Sequence, residues 1–239
     1  MSSMPAYPSG TVTFVFTDVE GSTALAQHDP QAWSAARDRH HAILHSAIES
    51  HGGYVFQVIG DAFCAAFATA GDAVLAAVEA QRELAGTGLT RSSGGAAPGM
   101  PVRVRMGSHA GEARLRPDGD YEGYLTLARV QRVVSAAHGE QVLVSQAAAE
   151  LVHASSPGGV RLRPLGAHQL KGFEQPEQLY QCEADGLRAD FPPIRSLVAH
   201  PNNLPLALTS FVGRAAEQAE IARQLSSGLS RIVTLTGVG

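Results

Sequence analysis

The chain has no apolar run approaching the roughly 20 residues that a membrane span needs, and Met1 to Gly10 carries no apolar core of the kind a secretory leader shows. Cysteine is scarce. Cys64 and Cys182 stand far apart, and neither has a His or Cys neighbour at zinc spacing. Two isolated cysteines read as buried free thiols of a reducing compartment, not as a disulfide framework. A block of positive charge is also missing, and the net charge is −4, so nothing suggests a nucleic-acid surface. These absences exclude a membrane span and a stapled secreted module, and a cytoplasmic location is expected. What is present is apolar mass. With 239 residues, 44% of them hydrophobic, the chain can bury one domain of about 150–200 residues and still carry an appendage.

The most informative stretch is Thr11 to Thr23, TVTFVFTDVEGST. Thr11 to Thr17 is β-branched and aromatic and reads as a buried strand. It ends in Asp18, and Glu20-Gly21-Ser22-Thr23 turn the chain. A carboxylate at the end of a buried strand can hold Mg²⁺, and backbone N–H groups around Gly21, Ser22 and Thr23 can face phosphate oxygens. The alternative is that Asp18 caps the next helix.

A helix is predicted from Pro30 to Ser50. Asp29 is its N-cap, Pro30 its first residue, and Gly52-Gly53 its stop. Trp33, Ala36, His40, Ile43, Leu44, Ala47 and Ile48 form one apolar stripe. His40, His41 and His45 read as helix-surface and stripe-edge residues, because no carboxylate or cysteine completes a ligand set. Tyr54 to Ile59 and Ala62 to Phe67 are strands joined by a Gly60-Asp61 turn. Strand, helix and strand form a βαβ unit whose two strands run parallel, so Asp18 and Asp61 leave the same sheet edge. If those strands are neighbours, a pair of divalent ions can bridge both carboxylates to a triphosphate. The alternative for Asp61 is an ordinary turn residue.

Downstream, Gly71 to Leu84 reads as a helix and Gly86 to Gly99 as a mobile loop. Val102 to Ser108 is expected as a half-exposed strand, pairing after a short turn with Ala110 to Leu115. A helix over Leu125 to Ala137, a strand over Gln141 to Ser145, a helix capped by Ser145, and strands over Val160 to Leu170 and Gln178 to Cys182 complete the pattern. The order βαββαβ with extra strands implies an α+β, ferredoxin-like fold with an antiparallel-rich sheet and helices on one face.

Three blocks, FTDVEGST at Phe16 to Thr23, HGGYVFQVIGDAF at His51 to Phe63 and AAHGEQVLVS at Ala136 to Ser145, resemble the catalytic domain of class III nucleotidyl cyclases. The resemblance covers roughly Gly10 to Glu183. It implies a head-to-tail homodimer that turns ATP or GTP into the cyclic monophosphate and pyrophosphate. It further implies two Mg²⁺ or Mn²⁺ ions on Asp18 and Asp61, with the Val19 backbone beside a metal. The partner chain of such a dimer reads the base and steadies the transition state.

At the base-reading position similar adenylyl cyclases have a lysine; here it is Gln57, which offers a donor and an acceptor without charge. The matching base-reading aspartate falls at Asp120, whose other reading is a turn residue in PDGD. Counting back from His138-Gly139 puts the transition-state arginine at Arg132, with Arg129 a competing candidate. The usual asparagine then falls at Ala128. The resemblance therefore implies a slow cyclase. The alternative is a degenerate domain that binds nucleotide, or only its twin, and regulates something else. A diguanylate-type cyclase is disfavoured by the Ile59-Gly60-Asp61-Ala62 hairpin.

Four segments are expected: a leader over 1–10, the cyclase-like domain over 11–185, a proline-rich linker over 186–209, and a different piece over 210–239. In the last, Phe211-Val212-Gly213-Arg214 and RIVTLTGVG at Arg231 to Gly239 resemble the lead-in to a P-loop ATPase, and the chain as given stops short of the loop's lysine.

Overall fold

The computed structural model describes residues 7–86, 102–196 and 215–226. Two compact units divide near residue 199. In the second, the described residues form one helix, α6 (Ala215–Ser226). The expected loop at 87–99, the linker residues 197–209 and most of the P-loop resemblance lie outside the described residues.

In the first unit the chain runs β1 (Gly10–Val19), α1 (Ser22–His28), α2 (Pro30–Ser50), β2 (Tyr54–Ile59), β3 (Ala62–Phe67), α3 (Ala70–Gly86), β4 (Val104–Leu115), β5 (Tyr121–Glu122), α4 (Tyr124–Ala136), β6 (Val142–Ser145), α5 (Gln146–Ser155), β7 (Val160–His168) and β8 (Glu177–Ala184). One sheet takes seven strands in the order β2-β3-β1-β4-β6-β8-β7, and β5 pairs β4. This is the expected α+β fold, with a correction to its core. β3 lies antiparallel between β1 and β2, so those two strands are parallel but not neighbours. It is a split βαβ arrangement.

Local signals explain the best-defined elements. The Asp29 side chain accepts from Ala32 N at 2.9 Å and Pro30 opens α2. At its other end Gly52 adopts φ 69°, Gly52 N donates to Glu49 O and Gly53 N to Ile48 O. Those two bonds close a left-handed glycine stop that satisfies the last carbonyls. Ser145 caps α5 through Ala148 N.

β4 departs from expectation. The two strands expected over 102–108 and 110–115 are a single strand, in unbroken register with β1 from Gly10↔Ala113 to Val19↔Val104. Its glycines do not turn the chain. A Cβ on Gly107 would stand 2.4 Å from Val134 N, and one on Gly111 would meet Thr126 at 2.8 Å. Both are cut back so that α4 can lie close against the strand.

The helices also occupy both faces, not one. Val15, Phe63, Phe67, Val104 and Met106 pack against α2, α3 and α5. Val12, Phe14, Phe16 and Ala66 point the other way, against Val130 and Val134 of α4. The period-2 alternation of β1 therefore serves two cores. Two segments outside the strands belong to this unit as well. Pro8 is buried and its carbonyl accepts from Tyr121 Oη at 2.7 Å. Residues 186–196, read from sequence as the start of a linker, place Ile194 in a third core cluster with Leu143 and Leu179.

Candidate functional site

The carboxyl end of β1 gathers charge because register places it there. Asp18 pairs across the ladder with Arg105 of β4, on the α4 face. The Arg105 Nη2 and Nε atoms donate to one oxygen, Asp18 Oδ2, at 2.5 and 2.8 Å. Arg105 Nη1 reaches the Ser135 carbonyl of α4 at 3.4 Å. Asp18 does not cap the next helix; the N-cap of α1 is Gly21, at φ 73° and without a side-chain acceptor. Ser22 and Thr23 form the first turn of α1, so its amides remain for solvent or an anion.

Asp61 reaches the same place from the β2–β3 turn. Its Oδ2 accepts from Val19 N at 3.0 Å, because β3, which Asp61 leads into, pairs directly with β1. The turn is bound to β1 at a second point, where Phe63 N donates to the buried Thr17 Oγ1 at 3.2 Å. Asp18, Val19 and Asp61 thus come together, as the sequence motif implied. Each carboxylate engages one oxygen and keeps the other outside the described hydrogen bonds. Two half-buried carboxylates are hard oxygen donors suited to Mg²⁺ or Mn²⁺, with water and phosphate completing the shell. Among the described residues no group of three or more His, Cys, Asp or Glu side chains is placed to hold an ion. The residues fit a cation that substrate phosphates help to bind, not a closed protein cage.

Next to this pair Glu20 sits between Arg103 and Arg195. Burial raises its pKa, but the Arg195 hydrogen bond and the two guanidinium charges outweigh that and hold the carboxyl below the usual range.

The base-reading candidates meet around Cys64. Gln57 is in register with Cys64, after a bulge at Phe56. Burial and the Asp120 carboxylate push the Cys64 thiol up to about 12. Asp120 also serves its turn, its Oδ1 accepting from Tyr121 N at 2.7 Å. Gln57 is exposed, so the pair opens to solvent.

The two α4 arginines differ. Arg129 donates to Glu177 Oε2 at 2.8 Å and lies 4.6 Å over the Phe173 ring. Arg132, one turn on, has no hydrogen-bond or ion-pair partner among the described residues. It borders a cleft of about 210 Å³ with Ser135, Leu170, Lys171, Arg195 and Ser196. Lys171, the chain's only lysine, and Arg105 were not singled out from sequence. Arg105 had a trace there, as the polar partner of an alternating strand; its place opposite Asp18 needed the register. Lys171 had no local signal.

The family profile described as "Adenylate and Guanylate cyclase catalytic domain" matches residues 4–184. An uncharacterized protein of Mycobacterium tuberculosis is 38% identical over 213 residues, covering 88% of this chain and 69% of its own length. A receptor-type adenylate cyclase of Trypanosoma brucei brucei is 29% identical over 76% of this chain and 18% of its own length. Among solved structures, a T. brucei adenylate cyclase in its monomeric state superposes with a TM-score of 0.66 at 28% identity, over 82% of this chain and 99% of that one. The fold is also that of a guanylate cyclase domain from Catenaria anguillulae solved with GTP, at TM-score 0.60 and 19% identity over 75% of this chain and 99% of that one.

Proposed function

The chain belongs to the adenylate and guanylate cyclase catalytic-domain family, and from that premise we propose that it cyclises a purine nucleoside triphosphate. The ribose 3′-oxygen forms a bond to the α-phosphorus, the bond to pyrophosphate breaks, and the 3′-hydroxyl proton passes to solvent water. The substrate is ATP or GTP. Asp18 and Asp61 would hold two Mg²⁺ or Mn²⁺ ions. When bound, such ions supply charge neutralisation on the triphosphate and a lowered pKa for the 3′-hydroxyl.

The observation that carries this reading is the Asp61 bond to Val19 N, which brings the second carboxylate beside Asp18. The chain's own groups do the rest. Arg105 keeps Asp18 oriented until substrate arrives, and is then free to turn to a phosphate oxygen. The open amides at Gly21, Ser22 and Thr23 face the same oxygens. Arg132 and Lys171 supply unpaired positive charge for a transition state bound at the carboxylates of a partner chain. Gln57 and Asp120 read the base. A second copy of the chain is implied by Ile59, 60% exposed on the β2–β3 arm, and by Tyr124 and Leu125, 84% and 69% exposed at the start of α4.

A specific observation favours a second reading. Ala128 stands where an amide would hold the ribose, and losing such a donor costs on the order of 10²-fold in rate. The domain would then be a weak enzyme or a nucleotide-binding regulatory module. Incubating the full chain with Mn²⁺ and either nucleotide, then identifying products, separates the two. Cyclic nucleotide from the wild type and at least about 100-fold less from Asp61→Ala supports the enzyme. Equal rates remove it. For the tail we keep the sequence-based proposal of a P-loop ATPase lead-in.

A further inference from the structure

The hairpin that presents Asp61 is held from behind by a residue of α2. His41 Nε2 lies 3.0 Å from Gly60 O. A carbonyl can only accept, so Nε2 carries the proton and donates. The His41 ring also stands edge-on to Phe63, centroids 5.0 Å apart at 82°. Phe63 is fully buried, so the imidazole is braced on the fixed base of the turn.

We propose that His41 is a positioning residue for Asp61, clamping the peptide plane from which that carboxylate hangs. The plane matters because of the turn type. Gly60 has φ 64°, while Asp61 is outside the left-handed region. That is the sense of a type II′ turn. The two-residue turn has a close alternative, type I′, reached by rotating the Gly60–Asp61 peptide about half a circle. Gly60 tolerates both forms, and aspartate is among the residues that accept the left-handed conformation the alternative needs. Rotation swings the Gly60 carbonyl off His41 and tilts the Asp61 Cα–Cβ bond, which disturbs its side-chain bond to Val19 N. The side-chain bond to Val19 N secures one side of this peptide, and His41 secures the other.

The proposal rests on the reading of Asp61 as a metal ligand, and its test keeps the two apart. In the full chain, backbone amide exchange at Val19, which bonds the Asp61 carboxylate, and at Ala62, which closes the hairpin, reports the clamp without metal. His41→Ala is expected to speed exchange at least 10-fold there while leaving β6 and α5 unchanged. His41→Gln, whose amide can donate to the same carbonyl, is expected to stay within 2-fold of wild type. Mn²⁺ binding, followed by its spin-resonance signal with non-cyclisable 2′,3′-dideoxy-ATP, is expected to weaken 5- to 10-fold in His41→Ala and to recover in His41→Gln. Unchanged exchange in His41→Ala overturns the clamp. So does equal loss in both His41 variants when their melting temperatures match wild type. If Asp61→Ala loses Mn²⁺ and His41→Ala does not, the positioning role alone falls. If Asp61→Ala binds Mn²⁺ like wild type, the metal reading falls and the proposal with it.

Discussion

At the carboxyl end of β1 each acidic group already has an answering group in its own chain: Arg105 for Asp18, Val19 N for Asp61, Arg195 for Glu20. Along α4 the pattern differs. Arg129 is spoken for by Glu177 and Phe173, while Arg132 faces a cleft and Tyr124 and Leu125 face solvent. The first region is assembled by sheet register and by the segment past β8, and one chain suffices to build it. The second has charge and apolar surface in excess of what one chain can use. On the proposed function, a half-site complete in itself beside a half-site awaiting company is what an active site shared by two chains requires.

The sharpest way to break this contrast is to remove each arginine in turn. Arg132→Ala should lower kcat by about 10²- to 10³-fold with an unchanged melting temperature. Arg129→Ala should act the other way, since it strands the Glu177 carboxylate, only 9% exposed. It should cost about 1–3 kcal/mol of stability, read by denaturant melts, with a smaller effect on kcat. If Arg129→Ala proved the kinetically damaging variant, the assignment along the helix would be reversed.

A surface change should act next. Ile59→Asp places charge on the exposed tip of the β2–β3 arm and should shift the chain towards monomer in analytical ultracentrifugation. Its specific activity should then rise with protein concentration. A concentration-independent wild-type rate from a monomer would break the comparison at its root.

The smallest effect is on stability and pH. Each region buries one neutral histidine: His40 on α2, and His109 on β4, where Nδ1 meets Ser145 Oγ at 2.8 Å. Burial pushes both down to about 4, helped by His41 in one case and Arg129 in the other. The unfolded chain takes up a proton near pH 6.5, roughly the ordinary histidine value, before the folded one does. Stability is therefore full above that pH and falls as pH drops towards 4, by on the order of 3 kcal/mol per histidine. Neither ring nitrogen of His40 has a partner. His40→Leu should flatten about half of the acid-side slope in urea titrations and raise stability by about 1 kcal/mol at neutral pH. An unchanged slope would mean that His40 ionises in the fold.

Legibility followed the range of the interaction. α2, β2 and β3 are where the sequence puts them, because Asp29, Pro30, Gly52 and the Gly60–Asp61 turn act on their immediate neighbours. The meeting of Asp18 and Asp61 was legible as a motif, and its cause was not. The sequence pattern suggests adjacent β1 and β2, whereas β3 stands between them and its own register with β1 brings Asp61 to Val19. The turn expected between Ser108 and Ala110 is absent, and Gly107 and Gly111, inside the expected strands, admit α4, which no strand pattern signals. The partners of Arg105 and Arg129 are opaque to sequence because they lie 87 and 48 residues away, beyond any local pattern. Gln57 and Asp120 sit close to a common neighbour, Cys64, which no sequence signal had connected to either.

The stretch past β8 has a practical corollary. Arg195 N bonds to the Ala136 carbonyl, its guanidinium grips Glu20, and Ile194 fills a space under Leu143. A recombinant fragment trimmed at residue 185 would uncork that space and leave Glu20 to Arg103 and the Gly139 amide. Cutting after Ser196 preserves the seam, because the anchoring contacts of Ile194 and Arg195 stay within the fragment.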